Sequence, residues 1–247
     1  MAINSIVNIF LLAILVICAW QGYKKGIIMG IVGVLVIILS LYGAQLLSDT
    51  FSYEVIPVLK PFVSGYLETR VEETAFQIYG YEPDEDGNFD VPYSLVDMLD
   101  SQPAAREEIT VMAYKELGIY DAMARTLAQR SLAYAEENDA SLQNSVVTVM
   151  CQSITWYGGF LLAFVILFSV MTVLVNIPNL SFKLPYLGLV NSLAGMVIGV
   201  FCGFLFCSII VWVIQFTGIL LPEETVRSAG LASYFLDMDL LASYITL

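Results

Sequence analysis

Alternating oxygen-bearing side chains form the pattern in this sequence that most resembles a metal site. Asp84, Asp86 and Asn88 have the spacing of the first three ligands of an EF-hand calcium loop. Such a loop also needs a glycine at its sixth position and a bidentate glutamate at its twelfth, where this sequence has Phe89 and Leu95. The segment therefore predicts a solvated acidic turn, and we expect no bound metal and no cofactor.

Groups that could act in catalysis are scarce. The sequence contains no histidine, which removes the commonest general base and the commonest metal ligand. Of its cysteines, Cys18, Cys202 and Cys207 fall inside apolar runs, where a free thiol is typically a small packing residue. Phosphate-binding loops, nucleophile elbows and C-x-x-C pairs are missing from the sequence. We expect no catalytic residues, and we expect that the protein is not an enzyme.

The apolar composition indicates a membrane protein. Hydrophobic residues make up 58% of the chain and the mean hydropathy is +0.78, above the range of ordinary soluble domains. Charged side chains are absent from Met1–Tyr23, Gly26–Ser48, Ala140–Phe182 and Leu184–Pro222. Each stretch holds a run long enough for a helix that crosses about 30 Å of hydrocarbon. The sequence therefore predicts an all-α protein with four membrane-spanning helices.

The boundaries of these helices follow from polar and helix-breaking residues. We predict a short polar connection over Gln21–Lys25 and a fourth helix that begins near Tyr186–Leu189 and ends near Gly218–Leu221. The other predicted helices cover Ile3–Trp20, Gly26–Leu47 and Ile154–Asn176.

An acidic segment separates the second predicted span from the third. Residues 48–150 hold 19 of the 23 acidic side chains and 6 of the 10 basic ones, which argues against nucleic-acid binding. Apolar positions at three- and four-residue spacing predict that it is helical, with Pro103 starting one helix and Gly118 ending it. A further helix is predicted over Asp121–Glu137, followed by a cap at Asn138 or Asp139. The predicted organisation is two spans in 1–47, the insert in 48–150, two spans in 151–221 and an amphipathic tail in 222–247.

Three lysines predict the orientation of the chain. Lys24 and Lys25 lie in the first short loop and Lys183 in the third, and neither loop contains an acidic residue. By the positive-inside rule both loops face the cytoplasm. With an even number of spans, both termini and the acidic insert then lie outside. We expect a multi-pass protein of the bacterial cytoplasmic (inner) membrane.

Glycines at spacing four mark one face of the fourth predicted span. Gly195, Gly199 and Gly203 form this glycine zipper, and Gly26 with Gly30 forms a shorter one. Because glycine has no side chain, a neighbouring backbone can approach closely there. Asn191 and Ser192, one turn before Gly195, belong to the same predicted helix-packing set, with Asn191 expected to hydrogen-bond another helix or a loop. The zipper could pack against the chain's own helices, or form an oligomer interface or a pore lining.

Two of these segments resemble the colicin V production protein (CvpA) family of bacterial membrane proteins. One is Gly22-Tyr23-Lys24-Lys25-Gly26, and the other is the glycine-spaced run Leu189–Gly203. Ser192 and Cys202 stand where the family has basic residues, and the family's early Asp is absent. The resemblance implies a membrane protein associated with export of a peptide toxin and with envelope physiology.

Together these patterns favour a non-enzymatic accessory or scaffold protein. Its expected partners are the lipid bilayer and, through the glycine faces, a second copy or another membrane protein. The alternative is a small oligomeric channel or transporter subunit. Ion-coupled transporters usually keep a charged residue within a span, and the predicted spans contain none.

Overall fold

The computed structural model describes residues 3–82, 103–176, 188–216, 218 and 221–238. Within these ranges every regular element is an α-helix, so the predicted all-α class is confirmed for the described part of the chain. The helices are α1 (Ile3–Ile78), α2 (Pro103–Glu116), α3 (Asp121–Asn138), α4 (Leu142–Asn176), α5 (Gly188–Phe216), α6 (Glu223–Arg227) and α7 (Gly230–Met238).

Three of the described helices are long and apolar enough to cross a membrane. The qualifying stretches are Asn4–Ser52 within α1, Leu142–Asn176 and Gly188–Phe216. The first contains 49 residues. At 1.5 Å per residue, a straight helix of that length would reach about 73 Å, more than twice the hydrocarbon thickness.

The chain reverses direction inside α1, at Gly26. Its backbone there has φ 79° and ψ −179°, a conformation that is almost exclusive to glycine. Before the break, Cys18 lies beside Gly199 and Gly203 of α5; after it, Gly33 lies beside Cys202. The two halves of α1 therefore run antiparallel along the same part of α5. The predicted polar connection over 21–25 is wrong, because these residues are helical and one glycine makes the reversal.

Helix α1 also continues well past Leu47, where the sequence predicted its end. It runs to Ile78 and contains Pro57 and Pro61 in its interior. Proline removes a backbone hydrogen bond and normally ends a helix. Here the turns that follow are held by burial of Leu67 against Val147 and Cys151. Tertiary packing thus stabilises a helix that local propensity disfavours.

The chain divides into two compact units. One comprises Met1–Thr50, Tyr157–Ile214 and Leu221–Leu247, and the other comprises Phe51–Trp156 and Gln215–Leu220. In the second unit, the fully buried Tyr114 hydroxyl lies 2.7 Å from Ser131 Oγ and donates to the Val146 carbonyl at 3.3 Å. This contact joins α2, α3 and α4. Burial raises the pKa of the Tyr114 hydroxyl, so it stays protonated and remains a donor.

The helix boundaries predicted in this unit are mostly confirmed. Helix α2 begins at Pro103, Gly118 follows its end with φ 81°, and α3 begins at Asp121. The predicted cap at Asn138 or Asp139 is wrong. Asp139 adopts a left-handed conformation that ends α3, and Ser141 Oγ caps α4 by accepting a bond from the Asn144 amide at 3.3 Å.

Some surface charges in this unit form ion pairs. Asp121 accepts hydrogen bonds from Arg125 at 2.9 Å and from Lys115 at 3.1 Å. These two cations, Arg125 first, hold the pKa of the Asp121 carboxyl below its usual range. The pairs are largely exposed, so each contributes little to stability.

In the first unit, aromatic rings fill the contact between α4 and α5. Trp212 lies 4.7 Å from Tyr157 and 5.5 Å from Phe160 between ring centroids. The described part of the predicted tail consists of α6 and α7. Helix α7 buries Phe235 against Phe204 of α5, with ring centroids 4.9 Å apart.

Replacing Gly26 with alanine should destabilise the protein. A side chain in this backbone conformation is strained by about 1–3 kcal/mol, so the detergent melting temperature should fall. Gly158→Ala is the matched control, because a Cβ there has open space and alanine favours a helix by about 0.5–1 kcal/mol. Thermal melting of the purified variants would show opposite shifts; equal shifts would contradict the proposed reversal.

Candidate functional site

The glycine zipper of α5 lies against the backbone of the first half of α1. A Cβ built on Gly195 would contact the Gly22 carbonyl and stand 2.7 Å from Gly26 Cα. A Cβ on Gly199 would contact the Cys18 carbonyl and stand 3.1 Å from Gly22 Cα. These separations are too short for any side chain. At these positions the two helices meet backbone to backbone.

The next glycine along α5 extends the same contact. A Cβ on Gly203 would lie 3.2 Å from Leu15 Cα and 3.1 Å from Cys18 Cβ. One turn further, the buried Cys207 donates its thiol hydrogen to the Leu11 carbonyl, with Sγ and O 3.6 Å apart. The close contact therefore follows α5 over four successive turns.

Asn191 lies where α1 reverses. Its Oδ1 accepts a hydrogen bond from the Ile27 amide at 3.0 Å, and its side chain touches the space a Gly26 Cβ would fill. The break at Gly26 interrupts the helical hydrogen-bond ladder, and Asn191 supplies an acceptor for the amide that follows. The side chain thus caps the second half of α1 from a different helix. Ser192 next to it is half-buried.

The second half of α1 meets α5 less tightly. A Cβ on Gly30 would lie 3.1 Å from Ile198 Cγ2, and one on Gly33 would lie 3.8 Å from Cys202 Sγ. The second distance is an ordinary van der Waals contact. This side of α5 therefore makes side-chain contacts where the other makes backbone contacts.

A second asparagine caps a helix in the same way. Asn8 Oδ1, on the first half of α1, accepts a hydrogen bond from the Leu231 amide at 3.1 Å. Leu231 is the second residue of α7, whose first amides have no partner within the helix. Asn8 is not among the predicted site residues; the signal for it in the sequence is an amide side chain inside an apolar run.

The lysines that set the predicted orientation occupy different environments. Lys24 Nζ lies 5.1 Å from the centre of the Trp20 ring, a cation–π contact. Lys25 is exposed and lines a cleft between the helices of this unit. Lys183 lies outside the described residues, as does the calcium-like segment from Asp84 to Asn88.

The most distinctive contacts among the described residues are structural. Among them, no group of three His, Cys, Asp or Glu side chains is placed to hold a metal ion. Their distinctive features are the backbone contact of the glycine zipper, the two interhelical asparagine caps and the cleft beside Lys25. All of these lie in the unit that contains α5.

Enlarging Gly199 should disrupt this contact, whereas enlarging its neighbour should not. Gly199→Leu inserts a side chain against the Cys18 carbonyl, and overpacking of this kind costs about 1–3 kcal/mol. Val200 is 45% exposed, so Val200→Leu should have little effect. Cellular protein level and detergent melting report the difference. Identical behaviour of the two variants would show that the zipper does not need close contact.

Comparison with known proteins identifies the family of this region. The family model described as "Colicin V production protein" matches residues 123–239, which include α4, α5 and the zipper. Searches of curated proteins and of solved structures each found no match. The resemblance to the colicin V production protein family is therefore confirmed, and the segment 123–239 of this membrane protein belongs to that family.

Proposed function

We propose that this protein is a non-enzymatic membrane accessory protein that acts in colicin V production and, more broadly, in the cell envelope. The observation that carries this proposal is the backbone contact of Gly195 and Gly199 with α1, within a region that matches the colicin V production protein family. The glycines and Asn191 stabilise the helix assembly, so their arrangement suits a scaffold.

The proposed chain crosses the membrane four times. The apolar stretch of α1 is more than twice as long as one crossing requires and reverses at Gly26. Its two halves, with α4 and α5, supply four spans. Helices this close in lipid depend on small residues and interhelical hydrogen bonds, because apolar tails provide no hydrophobic drive for association. The zipper and Asn191 supply both.

In the proposed orientation the Gly26 reversal faces the cytoplasm of a bacterial inner membrane. Lys24 and Lys25 precede the reversal, and Lys183 lies in the sequence between α4 and α5. Both termini and the acidic segment between residues 48 and 150 are then outside.

Cysteine labelling tests this orientation. Single cysteines at Lys24, Lys183 and Asp86, in a cysteine-free background, are exposed to an impermeant maleimide in intact cells. We expect labelling at Asp86 alone, and labelling at the other two sites after permeabilisation. Labelling at Lys24 together with protection at Asp86 would reverse the proposed topology.

The main alternative is a small channel or transporter subunit built from copies of α5. In the described structure, the zipper of α5 already contacts α1 of the same chain, which leaves no glycine face for a pore. The outward side of α5 bears large apolar residues, with Val197 67% and Phe201 51% exposed. Such a surface suits lipid or another membrane protein better than an aqueous pore. We therefore favour the accessory protein.

A complementation assay tests the accessory function. The full chain is expressed in a colicin V-producing strain that lacks its own family member, and secreted toxin is measured by growth inhibition of a sensitive strain. We expect wild type and Val200→Leu to restore secretion and Gly199→Leu to fail. Protein levels in the membrane fraction are measured alongside. Absence of rescue by a wild-type protein that accumulates normally would refute the proposed function.

A further inference from the structure

A cleft opens among the helices of the unit that contains α5. Its volume is about 140 Å³, and both halves of α1, the end of α4 and the middle of α5 contribute to its walls. Of the described residues that line it, Lys25 alone carries a charge. The apolar part of the lining includes Met29, Val36, Ile37, Phe168, Val175 and Phe206.

Polar and apolar residues separate along the length of the cleft. Lys25 lies just before the reversal of α1, and Asn176 is the last residue of α4. Gln21 and Thr172 also line the cleft, each one turn deeper on the same two helices. On the second half of α1, the lining reaches Ile37, about 17 Å along the helix from the reversal at Gly26. One end is thus polar and positive, and the interior is apolar.

This gradient matches the cross-section of a bilayer leaflet. The ends of helices that cross a membrane lie among lipid headgroups, and their middles lie among acyl chains. Basic pockets between such helices bind anionic headgroups. The match does not depend on which side of the membrane the reversal of α1 faces.

We propose that this cleft binds one anionic phospholipid, with its phosphate at Lys25 and the first part of one acyl chain against Phe168 and Phe206. The Lys25 ammonium and the Gln21 amide are hydrogen-bond donors suited to phosphate oxygens. The Asn176 amide donates one hydrogen to the Thr172 carbonyl at 2.7 Å, and its second hydrogen is a further donor. An apolar cavity of about 150 Å³ takes up a molecule the size of benzene, so this cleft holds several methylene groups and not a second chain. The lipid would complete the packing between α4 and the reversal of α1.

The neighbouring lysine provides a matched control. Lys24 carries the same charge one residue away, but it lies over the Trp20 ring and does not line the cleft. Diffuse attraction of anionic lipid would depend equally on both lysines. A bound headgroup would depend on Lys25.

Lipid retention by the purified full chain tests the headgroup. Wild type, Lys25→Gln, Lys25→Arg and Lys24→Gln are purified in detergent, mixed with palmitoyl-oleoyl phosphatidylglycerol or phosphatidylcholine, and examined by native mass spectrometry. We expect wild type to retain one phosphatidylglycerol and little phosphatidylcholine. Lys25→Gln should lower retention about fivefold, the effect expected of one lysine beside an anionic lipid, whereas Lys25→Arg and Lys24→Gln should retain it.

A cavity-filling pair tests the acyl chain. Gly33→Leu adds a side chain at the cleft wall, where even the nearest atom, Cys202 Sγ, would be 3.8 Å from the new Cβ. Gly158→Leu adds the same volume on α4, where nothing lies within 4 Å. We expect Gly33→Leu to reduce phosphatidylglycerol retention and Gly158→Leu to leave it unchanged, with melting curves confirming that both are folded. If Gly33→Leu does not fold, Gly33→Ala provides the smaller filling variant.

Four results would overturn the proposal. Equal retention of the two lipids would exclude an anion site, and equal loss in Lys24→Gln and Lys25→Gln would indicate diffuse attraction. Displacement of the lipid by inorganic phosphate alone would show that the acyl chain does not contribute. Retention by Gly33→Leu equal to that by Gly158→Leu would do the same. These outcomes are independent of toxin secretion, so the lipid site and the accessory function can fail separately.

Discussion

The packing of this protein depends on a backbone contact that only glycine permits. Gly195 and Gly199 lie so close to α1 that a Cβ on either would collide with a carbonyl oxygen. In water, burial of apolar side chains would hold two such helices together, but in lipid that driving force is missing. Close backbone approach maximises dispersion contacts and brings polar groups within hydrogen-bond distance. The reversal at Gly26 places both halves of α1 beside α5, so that α5 packs against each of them.

Asparagine side chains complete the hydrogen bonding that these close contacts interrupt. A backbone amide that is removed from water without a hydrogen-bond partner carries a free-energy cost. The reversal at Gly26 frees the Ile27 amide, and Asn191 accepts its hydrogen. The Leu231 amide, at the start of α7, has no acceptor within its own helix, and Asn8 Oδ1 accepts its hydrogen bond. In both cases, an amide side chain on one helix caps another helix, which links the path of the chain to the packing of its neighbours.

A different interaction stabilises the unit formed by residues between Phe51 and Trp156. Its helices bury apolar side chains around a hydrogen-bonded tyrosine, Tyr114, and carry ion pairs on their surface. Here apolar burial supplies the stability, as in water-soluble domains. This explains how α1 continues through two prolines: the helical turns beyond Pro61 are stabilised by the contacts of Leu67 and its neighbours.

The all-α class, the membrane-length apolar helices, the resemblance to the colicin V production protein family and the start of α2 at Pro103 could be predicted from the sequence. These features depend on composition, local spacing and single-residue preferences, which act within a few residues. The spacing of Gly195, Gly199 and Gly203 also predicts that they share one face of a helix, because spacing four on a helix is a local property. Tertiary contacts determine which backbone that face meets, where α1 reverses and which amides Asn8 and Asn191 cap. Those depend on contacts between residues more than 160 positions apart, and on a cleft whose walls come from three helices.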